Sequence, residues 1–591
     1  MERKDIDKAS TWDVQSIYAS YEAFQEDVKI AESLMQQLAD YKGKLTTSLD
    51  NLEDFLTKND DAGRYIDKLY CYAHLQCDVE PENQTYQTML ATVMNLINTA
   101  SVSLSFIDTE ICAHEEAVLQ YIEHPNMKKY RYKLGNILAY KPHMLPPEQE
   151  ELLAKVSTIS NTGSQVFDSL RLEYEDVMID NKAHTLNGAT LTKFLKNENE
   201  AVRKQAYHKF YQEYQKLENT YATTLSGVMK RDSFYANVRK FDSSLEASVF
   251  DDEVPSALFF KILSMANTTY RPLFHKYNAL KKQILQKETL YNYDLTVPLV
   301  KNVTKNFSLE ECFSIIHECI QPFGNEYASI IEKAKQERWI DFYPTKGKRT
   351  GAYSSGSYDT KPFILMNFIG DYNSLTTMIH ELGHSVHSYF SNHHQPYCNA
   401  NYRIIVAEVA STVNETLLIN HMIKHASTPE EKAYYIYEQL ENCVGLLFRQ
   451  PMFADFEYKL HTMAEKNEPL ASKNITDLYT KLSEEYFGKD VTLDPLTGWS
   501  CYYVPHFYYN YYVYKYTLGI TVALAIVKRI LSGDQEQVDR YLQFLRSGSS
   551  KAPMDLLQEA GVNPLDDHIY EDAFQYFAEL LEQFENIMIQ Q

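Results

Sequence analysis

Glycine is scarce in this sequence, 19 of 591 residues against roughly 7% in an average protein, which excludes glycine-rich linkers and loop-built folds. Cysteine offers no scaffold. The eight, at positions 71, 77, 112, 312, 319, 398, 443 and 501, form no Cys-x-x-Cys pair and no compact framework, so reduced and mostly buried thiols are expected. Positive charge is in deficit: 57 Lys and Arg against 80 Asp and Glu give a net charge of −23, which disfavours nucleic acid and anionic membrane as partners and tolerates cationic peptides. The first residues, Met1-Glu2-Arg3-Lys4-Asp5-Ile6-Asp7, lack the apolar core of a signal peptide, and the apolar stretch Leu518–Val527 is too short to span a bilayer. A soluble cytoplasmic protein is expected, with no indication of its oligomeric state.

What is present is helical periodicity. Ala201–Tyr221 and Leu565–Ile589 space apolar residues by three and four, as amphipathic helices do. The fold is therefore expected to be mainly α. A few β segments interrupt it: a hairpin over Leu172–Leu186, turning at Asp180-Asn181-Lys182, and a short buried strand within Pro362–Phe368. At this length one hydrophobic core is not enough, so two or more lobes are expected. Composition puts a boundary near residue 195, between an N-terminal helical region (1–195) and a catalytic region (196–591).

His380-Glu381-Leu382-Gly383-His384 carries the chemistry. On a helix, residues at i and i+4 share a face about 6 Å apart, so both imidazoles can reach one tetrahedral zinc ion, with Glu381 beside them as general base. Leu375, Met378, Ile379, Leu382, Val386 and Tyr389 form a helical apolar stripe around the motif, opened by the capping candidates Asp371, Asn373 and Ser374. Gly383 costs about 1 kcal/mol relative to alanine in a helix interior, so it predicts close approach of another segment. A catalytic zinc takes three protein ligands and leaves a position open. Glu408, on the helical pattern Val406–Glu415, is the first candidate for the third ligand. His387, at i+7 from His380, is the second. Glu415, two turns beyond Glu408, is placed to orient a ligand histidine through its free ring N–H.

Peptide hydrolysis builds negative charge on the carbonyl oxygen, and phenols or imidazoles stabilise it. The run Cys501–Tyr516 holds eight of the 46 tyrosines. Tyr511 and Tyr514, three apart, are expected to share a helix face as oxyanion donors, with His506 before them and Tyr508 and Tyr512 as substrate contacts. Gly351, Ala352 and Tyr353 open a turn-rich segment leading to the Pro362–Phe368 strand, whose edge suits pairing with an extended peptide.

His380-Glu381-Leu382-Gly383-His384-Ser385-Val386-His387 with the Glu408 segment resembles the thimet oligopeptidase superfamily of zinc peptidases, and within it the oligoendopeptidase F branch. Tyr293-Asp294-Leu295, Val297-Pro298-Leu299, Lys348-Arg349-Thr350-Gly351-Ala352-Tyr353 and Pro505-His506-Phe507-Tyr508 extend the resemblance over nearly the whole chain. The resemblance implies a large, multi-lobed helical metallopeptidase with a deep substrate channel that excludes folded proteins. It also implies one zinc ion per chain held by His380, His384 and Glu408, with a histidine and tyrosines downstream assisting the transition state. The expected activity is hydrolysis of oligopeptides at internal bonds. A dipeptidyl carboxypeptidase-type exopeptidase and a non-catalytic peptide-binding metalloprotein are the alternatives.

Overall fold

The computed structural model describes residues 2–300 and 305–589. Helices account for 71% of the chain, and its strands are two or three residues long. The chain folds as two compact units: Met1–Met144 with Thr304–His421 and Ile526–Val562, and Leu145–Val303 with Met422–Ala525 and Asn563–Gln591. They do not follow the division expected at residue 195. Each core is assembled from segments far apart in sequence, and composition averaged along the chain does not register that.

In the first unit the helix Leu49–Val79, capped by the Ser48 hydroxyl, packs against both Tyr21–Ala39 and Gln84–Ser103. Gln84–Ala113 is long and apolar enough to cross a membrane by length and composition, a stretch the sequence reading passed over. Its first helix buries Met89, Val93 and Leu96. A three-stranded sheet stands on this core. Phe363–Leu365 is the central strand, parallel to Ile340–Asp341 and antiparallel to Tyr353–Ser355. Phe363 and Leu365 belong to the same apolar cluster as Phe55, Leu69 and Leu75. The sheet's edges are therefore Ile340–Asp341 and Tyr353–Ser355, and the expectation of an edge at Pro362–Phe368 is corrected: both sides of that strand are already paired. Gly351, at φ +84, makes the turn into the edge strand, and Asn367 Nδ2 holds its carbonyl at 2.8 Å.

The second unit gathers the helices Glu200–Lys216, Glu218–Val238, Gln450–Glu465 and Ser472–Phe487 around one apolar cluster. The expected hairpin is present, with Val177–Ile179 paired to Lys182–His184. Asp180 and Asn181 sit at φ +51 and +62, the left-handed pair a two-residue hairpin turn requires. Asp294 is fully buried against Arg203, 2.8 Å from its Nε, which gives the Tyr293-Asp294-Leu295 string a structural purpose.

Candidate functional site

The motif lies on the helix Tyr372–His394, capped by Asp371, whose carboxylate accepts the Ser374 N–H at 2.8 Å. Leu375, Met378, Ile379, Leu382 and Val386 are wholly buried, which leaves His380 and His384 together on a half-buried face. A second helix, Ile404–Lys424, crosses at Gly383. A Cβ built on Gly383 would stand 2.8 Å from Ser411 Cα and 2.9 Å from the Ala410 carbonyl, closer than packed atoms tolerate, so only glycine lets the two backbones meet here. Asn414 Nδ2 fastens the crossing to the Ile379 carbonyl at 3.3 Å, and the Tyr327 hydroxyl holds Asn414 at 2.9 Å. Gly383→Ala is expected to lower Tm and weaken metal binding. Overpacking costs about 1–3 kcal/mol and outweighs the roughly 1 kcal/mol alanine gains in helix propensity; thermal melts and metal analysis of dialysed protein check it.

The crossing delivers Glu408 to the two imidazoles. His380 Nε2 and His384 Nε2 face each other at 3.1 Å, and Glu408 Oε2 is 3.7 Å from each. Donors on a tetrahedral ion with bonds near 2.0–2.1 Å stand about 3.3–3.4 Å apart, so the spacing suits such an ion. Among the described residues these three form the one group whose ligand atoms all lie within 4.8 Å of one another. The outer partners fix the rings. His380 Nδ1 is 3.1 Å from Glu415 Oε1, His384 hydrogen-bonds the Ala407 carbonyl, and Ser411 Oγ donates to Glu408 Oε2 at 3.2 Å. With the other nitrogens so engaged, both Nε2 lone pairs point into the gap, an arrangement a cation satisfies.

The field around the gap favours positive charge. Burial pulls His380 down, but the hydrogen bond it donates to Glu415 and the charges of Glu415, Glu381 and Glu408 overcome it and raise the ring to about 9. Burial, followed by the charge on His380, pushes His384 down to about 4. Two protons cannot share this space, whereas one divalent ion can serve both rings. Glu381 is 7% exposed. Burial pushes its carboxyl up to about 7 against the opposing charge of His380. It accepts a hydrogen bond from the backbone N–H of Ser354, and Ser354 Oγ lies 2.8 Å from Ser385 Oγ, so the edge strand and the motif helix together orient the carboxylate.

His387, the second candidate, stands outside the group formed by His380, His384 and Glu408. Its ring stacks on Tyr402 at 3.8 Å, beside Phe544 at 5.4 Å, is 1% exposed, and burial pushes it down to about 3. One further turn along a straight helix places its ring in an aromatic slot.

The tyrosine assignments need larger corrections. Tyr511 has φ +56 and the helix begins only at Tyr514, so the two share no helix face. Both are fully buried. The Tyr514 hydroxyl donates to Asp252 Oδ2 at 2.7 Å, and the Tyr511 hydroxyl is 3.4 Å from Ser244 Oγ; neither phenol is free to serve an oxyanion. Tyr508 is 6% exposed, stacked on Phe167 at 4.1 Å with its hydroxyl 2.8 Å from Thr224 Oγ1, and is a core residue, not a substrate contact. Tyr353, on the edge strand of the first unit, donates its hydroxyl to Asp78 Oδ2 at 2.7 Å, which leaves its backbone rather than its phenol for binding. What gathers round His506 is a different set: Tyr509, Tyr512 and Tyr516, with ring centroids 5.8, 6.2 and 5.9 Å away, and the Tyr516 hydroxyl 3.5 Å from His506 Nε2. Tyr516 was missed as a partner of His506.

Residues 193–576 match Peptidase family M3 and residues 110–173 match Oligopeptidase F. The chain belongs to peptidase family M3. As a member of that family it is a metallopeptidase. It is 37% identical to oligopeptidase PepF of Bacillus subtilis, across 100% of this chain and 88% of that protein. It is 32% identical to an oligoendopeptidase F homolog of Borreliella burgdorferi, across 99% of both. The crystal structure of oligoendopeptidase-F from Enterococcus faecium superposes with a TM-score of 0.76 at 28% identity, covering 96% of this chain and 99% of that one. The family M3 match and these oligoendopeptidase relatives agree with the resemblance drawn from the motif strings and with the expected helical fold.

Proposed function

We propose that this M3 peptidase is a zinc-dependent endopeptidase of short oligopeptides, working in the cytoplasm, where all eight of its unpaired cysteines stay reduced. The carrying observation is the convergence of His380 Nε2, His384 Nε2 and Glu408 Oε2, with the Glu381 carboxylate alongside. Zinc held by these three side chains, one ion per chain, would acidify a water and polarise the scissile carbonyl. Glu381 is the general base, accepting a proton from the attacking water and returning it to the leaving amine. Glu415 and Ala407 keep the two ligand rings oriented through their outer nitrogens. Gly351 and Ala352 lead the substrate backbone to the edge strand Tyr353–Ser355, where main-chain contact leaves sequence selectivity loose. His506, with Tyr512 and Tyr516 beside it, donates to the carbonyl oxygen as negative charge develops.

Peptides blocked at both ends separate this reading from its alternatives. The protein, incubated with acetylated, amidated oligopeptides and with their free counterparts, is expected to cut both sets at internal bonds, identified by mass spectrometry. Dipeptides released only from free carboxyl termini would make it an exopeptidase. Binding without cleavage would make it a peptide-binding metalloprotein.

A further inference from the structure

Between His506 and Tyr516 the chain reverses through Asn510 and Tyr511, at φ +47 and +56, a left-handed conformation that asparagine adopts readily but that costs a tyrosine and persists there only when the surroundings enforce it. The enforcement comes from beneath. Glu457, on the helix Gln450–Glu465 and wholly buried, accepts the Tyr511 backbone N–H on Oε1 at 2.5 Å, while its Oε2 has no protein partner. His461, one turn on, stacks on the Tyr511 ring at 4.5 Å and is braced by Asp232 Oδ2 at 3.3 Å. The Ser248 hydroxyl takes the Asn510 carbonyl at 3.1 Å. Asp252 holds Tyr514 at 2.7 Å and Lys515 at 2.6 Å. On the outer side of the same reversal stand His506, Tyr509, Tyr512 and Tyr516.

A neutral acceptor would serve a merely structural turn. A buried carboxylate is costly to desolvate, and here burial pushes it up to about 7 despite the charge on His461 and the hydrogen bond from Tyr511. Its return is a charge-assisted hydrogen bond, shorter and stronger than a neutral one, to the backbone N–H of Tyr511 within the reversal. We infer that Glu457 is a positioning residue of the peptidase: through the Tyr511 N–H it holds the strained Asn510–Tyr511 reversal that sets His506 against Tyr516. The inference rests on the proposed role of His506, and Glu457 itself touches no substrate.

The test uses the full-length, metal-loaded enzyme with Glu457→Gln, Glu457→Ala, His506→Ala and the two His506/Glu457 double variants. Glu457→Gln, which keeps an oxygen for the N–H, is expected to lower kcat about 10-fold, and Glu457→Ala about 100-fold. KM should stay within about twofold and metal content should not change. In the His506→Ala background either Glu457 substitution should add less than about twofold, because residues acting through one another are not additive. Faster hydrogen exchange at the Tyr511 amide in Glu457→Gln gives a readout that needs no turnover. Undiminished kcat in Glu457→Gln together with unchanged exchange at Tyr511, or losses that multiply fully with His506→Ala, overturns the inference; if Glu457→Ala does not fold, the Gln variant decides. A fully active His506→Ala would instead overturn the reading of His506 itself and the inference with it.

Discussion

Glu381→Gln is expected to keep its metal and lose turnover by about 10²–10⁴-fold, the usual worth of a positioned general base. The amide fills the same buried space and still offers an oxygen to the Ser354 N–H that orients the native carboxylate. His380, His384 and Glu408 are untouched, so the metal has no reason to leave. Only proton acceptance is lost. Cleavage of an internally quenched peptide, measured beside metal content, checks the prediction. Near-parent turnover at full metal occupancy would remove Glu381 from the reaction.

Glu408→Ala and His387→Ala are expected to behave in opposite ways. Removing Glu408 takes away a donor 3.7 Å from both imidazole nitrogens, and the fall in metal affinity should exceed the roughly 10–100-fold that an outer hydrogen-bond partner is worth. Peptidase activity should fall with it and return in part at high added zinc. His387→Ala should keep its metal and instead lose stability by about 2–5 kcal/mol, because it empties a buried slot between Tyr402 and Phe544. Metal analysis after dialysis and denaturant melts separate the two. Metal lost from the His387 variant and kept in the Glu408 variant would reverse the assignment.

The parts of the site that sequence disclosed are those set by short-range geometry. Two histidines four apart on an apolar-striped helix must share a face, Asp371 is a cap because it precedes that stripe, and Gly383 announced a close approach that Ser411 and Ala410 then supplied. Glu408 was legible because its helical pattern follows within one helix–helix connection. The failures are non-local. Tyr511 was read as helical because nothing local marks a tyrosine for a left-handed conformation; that is imposed by Glu457, 54 residues earlier. Tyr514 and Tyr508 were read as site residues because a phenol's burial depends on neighbours such as Asp252 and Thr224, both more than 250 residues away. The strand edge was expected at Pro362–Phe368 for the same reason, since Ile340–Asp341, more than 20 residues earlier, takes one side of that strand and Tyr353–Ser355 the other. The compact units escape any linear reading, because each is built from three separated stretches of chain.

X-ray absorption on the zinc-loaded protein tests the central claim most directly, since it reads the ligands of the metal itself. Two imidazole nitrogens at about 2.0–2.1 Å and oxygen donors at about 2.0–2.2 Å, with no sulfur, are predicted for one zinc per chain. In Glu408→Ala the oxygen contribution should change while both imidazoles remain. A zinc shell containing cysteine sulfur, or fewer than two imidazoles, would contradict the account.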